Sequence, residues 1–256
     1  MSLTSLALRF AAPAPQLEAF DRYLFLGPHP DDIEIGAGAT AAKLVAAGKQ
    51  VCFLICTDGR YGLENAPEGT TPEALVELRK AEAIASARVL GVEDVRFLGF
   101  SDGGFYDFED LVRAAAQVVG DFRPQVILAP DPDTNAECHV DHRNAGEASK
   151  RLAFFAPYPE IMARYGAGPA DVQALAFYMT ARPNRFVTTR GLLQRQLDSV
   201  LCHRTQFTAN APAFQSVALY LKLRSLDFGL RALKGRAEGF RVLGKTHMHC
   251  LPEAGR

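Results

Sequence analysis

The chain has 256 residues, 48% hydrophobic and 22% charged, which suits one large α/β domain with a buried core and excludes global disorder. Lys and Arg number 28 against 29 Asp and Glu, a net charge of -1 at pH 7. That balance excludes nucleic acid or an anionic membrane as a partner reached by bulk charge. Five scattered cysteines (Cys52, Cys56, Cys138, Cys202, Cys250) give no disulfide framework, so reduced, mostly buried thiols and a soluble, cytoplasmic setting are expected. No secretory pattern opens the chain, and no stretch reaches about 18 uncharged apolar residues.

Arg22–Gly27 reads as a buried strand, followed by the polar loop Pro28–Glu34. A helical pattern runs from about Gly38 to Ala47 and stops at Gly48. Gln50–Cys56 is a second strand with a turn at Asp58-Gly59. Thr71 and Pro72 open a helix that closes at Gly91, with Leu75, Leu78, Ala81, Ala85 and Val89 as its apolar stripe. Strands at Val95–Leu98 and Val126–Ala129 alternate with helices at Phe108–Val119 and about Arg143–Phe155. Beyond Pro159 the rhythm weakens, with strands at Ala174–Tyr178 and Arg185–Val187 and helical stretches at about Gly191–Leu201 and Pro212–Gly239. The alternation predicts βαβ units, a mostly parallel sheet flanked by helices, and ligand chemistry at the carboxyl ends of the strands.

Two polar clusters fall at such strand ends. His29-Pro30-Asp31-Asp32 follows the first strand. Two carboxylates and an imidazole this close are costly to desolvate unless something compensates them, and a divalent cation does so. Adjacent residues point in different directions, so one carboxylate on the metal and the other free as a base is the natural division. His139-Val140-Asp141-His142 follows the fourth strand and its loop. Loops after the first and fourth strands of a parallel sheet can meet at a switch point.

In these residues the sequence resembles the LmbE-like, or PIG-L, family of zinc-dependent N-deacetylases, whose motifs read Ala-His-Pro-Asp-Asp and His-Pro-Asp-His. Pro28 stands where the first motif has alanine, and Val140 where the second has proline. The likeness spans roughly residues 20–245 and includes Thr57-Asp58-Gly59, Arg79 with Glu82, Asp102-Gly103, His203-Arg204-Thr205-Gln206 and Glu238-Gly239-Phe240. It implies a Rossmann-like single domain over residues 1–256, with an N-terminal extension to about residue 20 and a helical part at about 190–245 over the pocket. It also implies that His29, Asp32 and His142 hold one zinc ion, that Asp31 is the general base, and that His139 is an electrostatic stabiliser or acid. Asp141 would orient an imidazole. Three protein ligands leave a position open for water, the pattern of a catalytic site. Other divalent metals suit the same donors.

The resemblance makes the substrate an N-acetylated amino sugar or glycoconjugate, such as an N-acetylglucosamine derivative, with Arg79 and Asp102 as candidate substrate contacts. By residue type alone, Arg79 and Glu82 one helical turn apart could be a surface ion pair. Asp102 could be a turn residue, and His203 a helix-end residue that packs locally. Neither nucleic acid nor membrane is expected as a partner, and a homo-oligomer is compatible with the composition. Two rival functions are an amidase acting on another small-molecule C–N bond and a non-catalytic metal-binding module. His247-Met248-His249-Cys250 is a rival metal site lacking a carboxylate, and its alternation suits a terminal strand or tail. Gly36-Ala37-Gly38-Ala39-Thr40-Ala41 has the glycine spacing of a dinucleotide-binding turn but lies eight residues past the strand, so helix packing explains it better.

Overall fold

The computed structural model describes residues 3–63, 65–249 and 251. The elements run α1 (Leu3–Ala11), β1 (Arg22–Gly27), α2 (Asp32–Ala46), β2 (Gln50–Thr57), α3 (Pro72–Leu90), β3 (Asp94–Phe100), α4 (Phe108–Phe122), β4 (Val126–Pro130) and α5 (Val140–Phe155). They continue with α6 (Pro159–Arg164), β5 (Ala174–Tyr178), β6 (Arg185–Thr188), α7 (Leu193–Val200), α8 (Pro212–Arg231) and β7 (Ala237–Gly244). The seven strands form one sheet in the order β3-β2-β1-β4-β5-β7-β6. β1 to β5 are mutually parallel, whereas β7 runs antiparallel between β5 and β6.

β1, β2, β4 and β5 are buried on both faces, as crossover helices require, whereas the edge strand β3 is only half-buried. In β1, Leu24 and Leu26 face a core closed by Leu111, Val112 and Ala115 of α4 and by Ala145 and Leu152 of α5. Tyr23 and Phe25 face the opposite core, against Ile33, Ala37 and Ala41 of α2 and Leu90 of α3. Chain order reverses between β1 and β4, whose neighbouring carboxyl ends form the switch point.

Where cap chemistry is explicit, the sequence-predicted boundaries match. The Thr71 hydroxyl accepts from the Ala74 N–H, Pro72 starts α3, and Gly91 ends it at φ 87°. Among the boundaries that differ, three are instructive. α2 begins at Asp32, because Asp32 and Glu34 take the acid-favouring first turn of the helix. α5 begins at Val140 with His139 as its N-cap, so the second cluster opens a helix rather than ending a loop. The helical stretch read as far as Gly239 stops at Arg231, and Ala237–Gly244 is a strand paired on both edges. The residues around Met248 form a 3-10 turn, with the Gly244 N–H donating to His247 Nδ1 and His247 Nε2 donating to the Ala12 carbonyl. Cys250 lies outside the described residues.

α2 is broken at Ala37, whose φ of -154° and ψ of 16° leave the helical region. Two buried side chains from distant elements satisfy the backbone groups that the break releases. Glu238 of β7 accepts from the Ala39 and Thr40 N–H groups at 3.2 and 2.7 Å. Gln196 of α7 donates to the Glu34 carbonyl at 2.8 Å and to Glu238 itself at 2.9 Å. Just upstream of the break, a Cβ at Gly36 would collide with the Tyr178 ring, whose hydroxyl donates to the Leu26 carbonyl. Of the glycines with dinucleotide-like spacing, Gly36 therefore serves helix-to-sheet packing and Gly38 the close approach of Gln196 of α7. Replacing Glu238 with Ala strands two buried N–H groups and is expected to cost on the order of 1–3 kcal/mol. Urea unfolding reads this, and an unchanged midpoint would show that the break needs no partner.

Candidate active site

The loop after β1 and the start of α5 bring both clusters to the switch point. The His29 ring lies 4.6 Å from that of His139 and 5.4 Å from that of His142, centroid to centroid. Asp31 ends the β1 loop at φ 110°, a left-handed conformation in which a residue with a Cβ is strained. Its side chain caps nothing in α2. Arg79, 3% exposed, holds this turn by donating to the Pro30 carbonyl at 2.9 Å and the Gly59 carbonyl at 3.0 Å. Its guanidinium stands 3.5 Å from the Asp31 carboxylate. Gly59 is required here, because a Cβ would collide with the Arg79 guanidinium.

Asp32 reaches both imidazoles. Its carboxylate lies 3.1 Å from His29 Nδ1 and 3.3 Å from His142 Nε2 and also accepts the His29 N–H at 2.8 Å. On the other side of the ring, His29 Nε2 meets Asp141 at 3.1 Å. Asp141 is 1% exposed and further accepts from the Gly103 and Gly104 N–H groups and the Tyr106 hydroxyl, at 2.7, 2.9 and 2.8 Å. His139 Nδ1 accepts from the Asp141 N–H at 3.3 Å, which leaves its Nε2 to carry the proton.

Charge follows this geometry. Burial raises the Asp31 carboxyl, the Asp32 charge adds to the effect, and despite Arg79, His203 and His29 it stands at about 6. Burial also opposes ionisation of Asp32, but His142 and His29 overcome it and hold Asp32 well below the usual carboxylate range. For Asp141 the His29 ring and the backbone N–H of Gly103 outweigh burial, leaving it at about 2. His29, itself disfavoured as a cation by burial, is raised to about 10 by Asp141 and Asp32.

Among the described residues two donor groups are compact enough for a cation: His29 with Asp32 and His142, and His29 with Asp102, His139 and Asp141. The first fits better. The two imidazoles lie 3.1 and 3.3 Å from the two oxygens of the Asp32 carboxylate, and one ligand atom from each of the three residues lies within 4.8 Å of the others. His142 Nδ1 has no aligned hydrogen bond, although Glu137 lies 3.0 Å away to orient it. In the second group Asp141 is already saturated by four donors and His139 stands open to solvent.

A cleft of about 290 Å³ opens beside these groups, lined by His29, Asp31, Tyr61, Gly62, Arg79, Asp102, His139 and Gln206. Arg79 and Asp102 therefore both face it. Arg79 is not the surface partner of Glu82, which instead accepts from the Thr205 N–H and hydroxyl. His203 is fully buried, 3.4 Å from Glu34 behind Asp31 and outside the cleft. Among the described residues no metal-binding group includes His247 or His249. Sequence reasoning assigned no part to Glu137, Tyr106, Tyr61 or Gln206. Gln206 stands within a quoted motif; the others gain meaning only from contacts across the fold. Cys52 and Cys56 are buried as expected, whereas Cys138 is exposed and Cys202 half-buried.

Among the described residues no helix is long and apolar enough to cross a membrane. The chain is 32% identical over 238 residues to a diacetylchitobiose deacetylase of Thermococcus kodakarensis, covering 91% of this chain and 87% of that one. It is also 32% identical to a 1D-myo-inositol 2-acetamido-2-deoxy-alpha-D-glucopyranoside deacetylase of Kineococcus radiotolerans, over 68% of this chain and 56% of that one. Its fold is similar to the solved N,N'-diacetylchitobiose deacetylase of Pyrococcus horikoshii, with a TM-score of 0.86, 26% identity and coverage of 98% and 97% of the two chains. The family model described as "PIG-L: GlcNAc-PI de-N-acetylase" matches residues 24–153. With half of its length matched by that model, the chain belongs to the PIG-L family of metal-dependent N-deacetylases.

Proposed function

We propose that this chain hydrolyses the acetamide of a small N-acetylated amino sugar, with His29, Asp32 and His142 holding one divalent ion, zinc by the character of the donors. The placement of Asp31 carries this reading. It is a buried carboxylate in a strained turn, unused as a helix cap, facing a cleft beside two imidazoles and poised near neutrality. A non-catalytic metal-binding module has no use for such a group. The metal, when bound, supplies a Lewis acid that acidifies water and polarises the acetamide carbonyl.

Asp31 takes a proton from the attacking water and, once protonated, returns it to the departing amine nitrogen. Arg79 holds the turn that sets the Asp31 carboxylate. His139, with Nε2–H free, donates to the oxygen that becomes negative as water adds to the carbonyl. Asp141 accepts from His29 Nε2–H, which leaves the Nδ1 lone pair beside Asp32 for the metal. Asp102 accepts sugar hydroxyls at the cleft wall. At the cleft mouth the exposed pair Tyr61 and Phe105, 6.2 Å apart, offers an apolar face to a pyranose ring. Support for the sugar comes from the substrates named for the Thermococcus and Kineococcus relatives. Free thiols at Cys52, Cys56, Cys138 and Cys202 support a cytoplasmic setting.

Acetate release from diacetylchitobiose and N-acetylglucosaminyl inositol, set beside larger amide conjugates, tests the substrate class. Cleavage confined to the conjugates would overturn the sugar reading. Asp31→Asn should keep about one metal per chain while losing 10²- to 10⁴-fold in turnover; turnover near that of wild type would remove Asp31 as the base. His142→Ala should lose the metal itself by elemental analysis, and unchanged content would strike it from the ligands.

Metal loading also has a pH signature. His29 is raised to about 10 in the metal-free chain by Asp141 and Asp32, so at neutral pH it carries a proton that a bound cation must displace, and His142 is shifted in the same direction by Asp32. Affinity should therefore weaken as pH falls. Calorimetry in buffers of different ionisation enthalpy should register release of about one proton or more per ion. Heats independent of the buffer would be incompatible with these ligands.

A further inference from the structure

α8 carries two apolar stripes where a surface helix needs one. Phe214, Ala218, Leu221, Ser225 and Phe228 face inward, Phe214, Ala218 and Leu221 joining Leu197 and Val200 of α7 in one core cluster. On another side of the helix, Leu219, Leu223, Leu226, Leu230 and Leu233 stand in water, their spacing alternating between four and three residues. Leu233, just past the helix end, is 94% exposed and sits at φ 54°. A bulky apolar residue that is both strained and solvated gives nothing to the monomer.

We propose that this second stripe is a dimer seam, on which α8 packs antiparallel against α8 of a second copy across a two-fold axis at Leu226. Three observations select that occupant. The spacing is nearly palindromic about Leu226, so Leu219 opposes Leu233 and Leu223 opposes Leu230 when the helix meets its own copy. The stripe is a narrow heptad-like seam, the shape that fits a helix groove. A helix lying on lipid needs a broader apolar face with basic flanks, and here Asp227 breaks the run of Lys222, Arg224 and Arg231. With Tyr220 beside them, the leucines expose on the order of 700 Å², above the ~300–600 Å² of a typical monomer's largest patch and near the ~800 Å² per partner of a stable dimer. The seam involves none of the residues lining the cleft, so its test is independent of the proposed chemistry.

Sedimentation equilibrium of the full chain at micromolar concentration should give a dimer. Leu226→Lys with Leu230→Glu should shift it to monomer with helical circular dichroism and metal content unchanged. A wild-type monomer, or a dimer that survives both substitutions, overturns the proposal. So does a wild-type monomer that floats with phosphatidylglycerol vesicles, which would assign the stripe to lipid. Cross-linking fixes the geometry, in a Cys138→Ser, Cys202→Ser and Cys250→Ser background. Leu226→Cys should form an intermolecular disulfide with itself, whereas Leu219→Cys should do so only when mixed with Leu233→Cys. Self-linking of Leu219→Cys, or none at Leu226→Cys, would overturn the two-fold axis.

Discussion

The carboxylate of Asp141 ties the site together. It sits in the first turn of α5, after β4, and accepts from the His29 ring of the β1 loop and from two backbone N–H groups and the Tyr106 hydroxyl beyond β3. Three strand-end loops thus meet on one buried charge. Four donors offset the desolvation that would otherwise neutralise it and keep it ionised, at about 2. Because that charge is permanent, the His29 ring has a fixed orientation, and its far nitrogen is directed at Asp32. Without Asp141 the polar link between the two clusters, among the described residues, falls to the contact of Asp32 with His142 Nε2 at 3.3 Å.

The remaining carboxylates divide by environment. Asp31 and Asp32 are neighbours in the chain and cannot both be comfortably ionised in a buried site. Asp32 takes the two imidazoles and is stabilised as an anion; Asp31 takes the strained turn, with an arginine at longer range. That asymmetry is what the proposed division of two identical side chains into a ligand and a proton acceptor requires.

Much of this was legible in sequence because it rests on local chemistry. Thr71, Pro72 and Gly91 mark the ends of α3 through caps that operate within a few residues, and the apolar runs of β1, β2 and β4 show burial on both faces. The likeness to the PIG-L family was readable from residues that stand together in the chain. What escaped depends on partners far away in sequence. His139 is an unusual N-cap, so the start of α5 carried no Ser, Thr, Asp or Asn signal. β7 follows a helix with no polar break before Lys234, and its strand character comes from β5 and β6 on either side. Arg79 and Glu82 have the spacing of a surface pair, yet the arginine is drawn under the Asp31 turn and the glutamate toward Thr205. Tyr106 and Glu137 are ordinary residues until the fold sets them against Asp141 and His142.

The break in α2 shows how the late part of the chain serves the early motif. A continuous helix from Asp32 would fix the direction of its first turn by its packing on the sheet. Interrupting it at Ala37 lets the turn that bears Asp32 follow the loop instead, while the rest of α2 keeps its apolar face on β1 and β2. Unpaired backbone groups in a buried helix are unfavourable, so the break is tolerable only because Gln196 and Glu238 reach in from α7 and β7. Residues nearly two hundred positions downstream thereby set the angle at which the motif meets the cleft. This is a physical reason for the segment after Gly191, which also supplies Gln206 to the cleft wall, to belong to the same folding unit as the site.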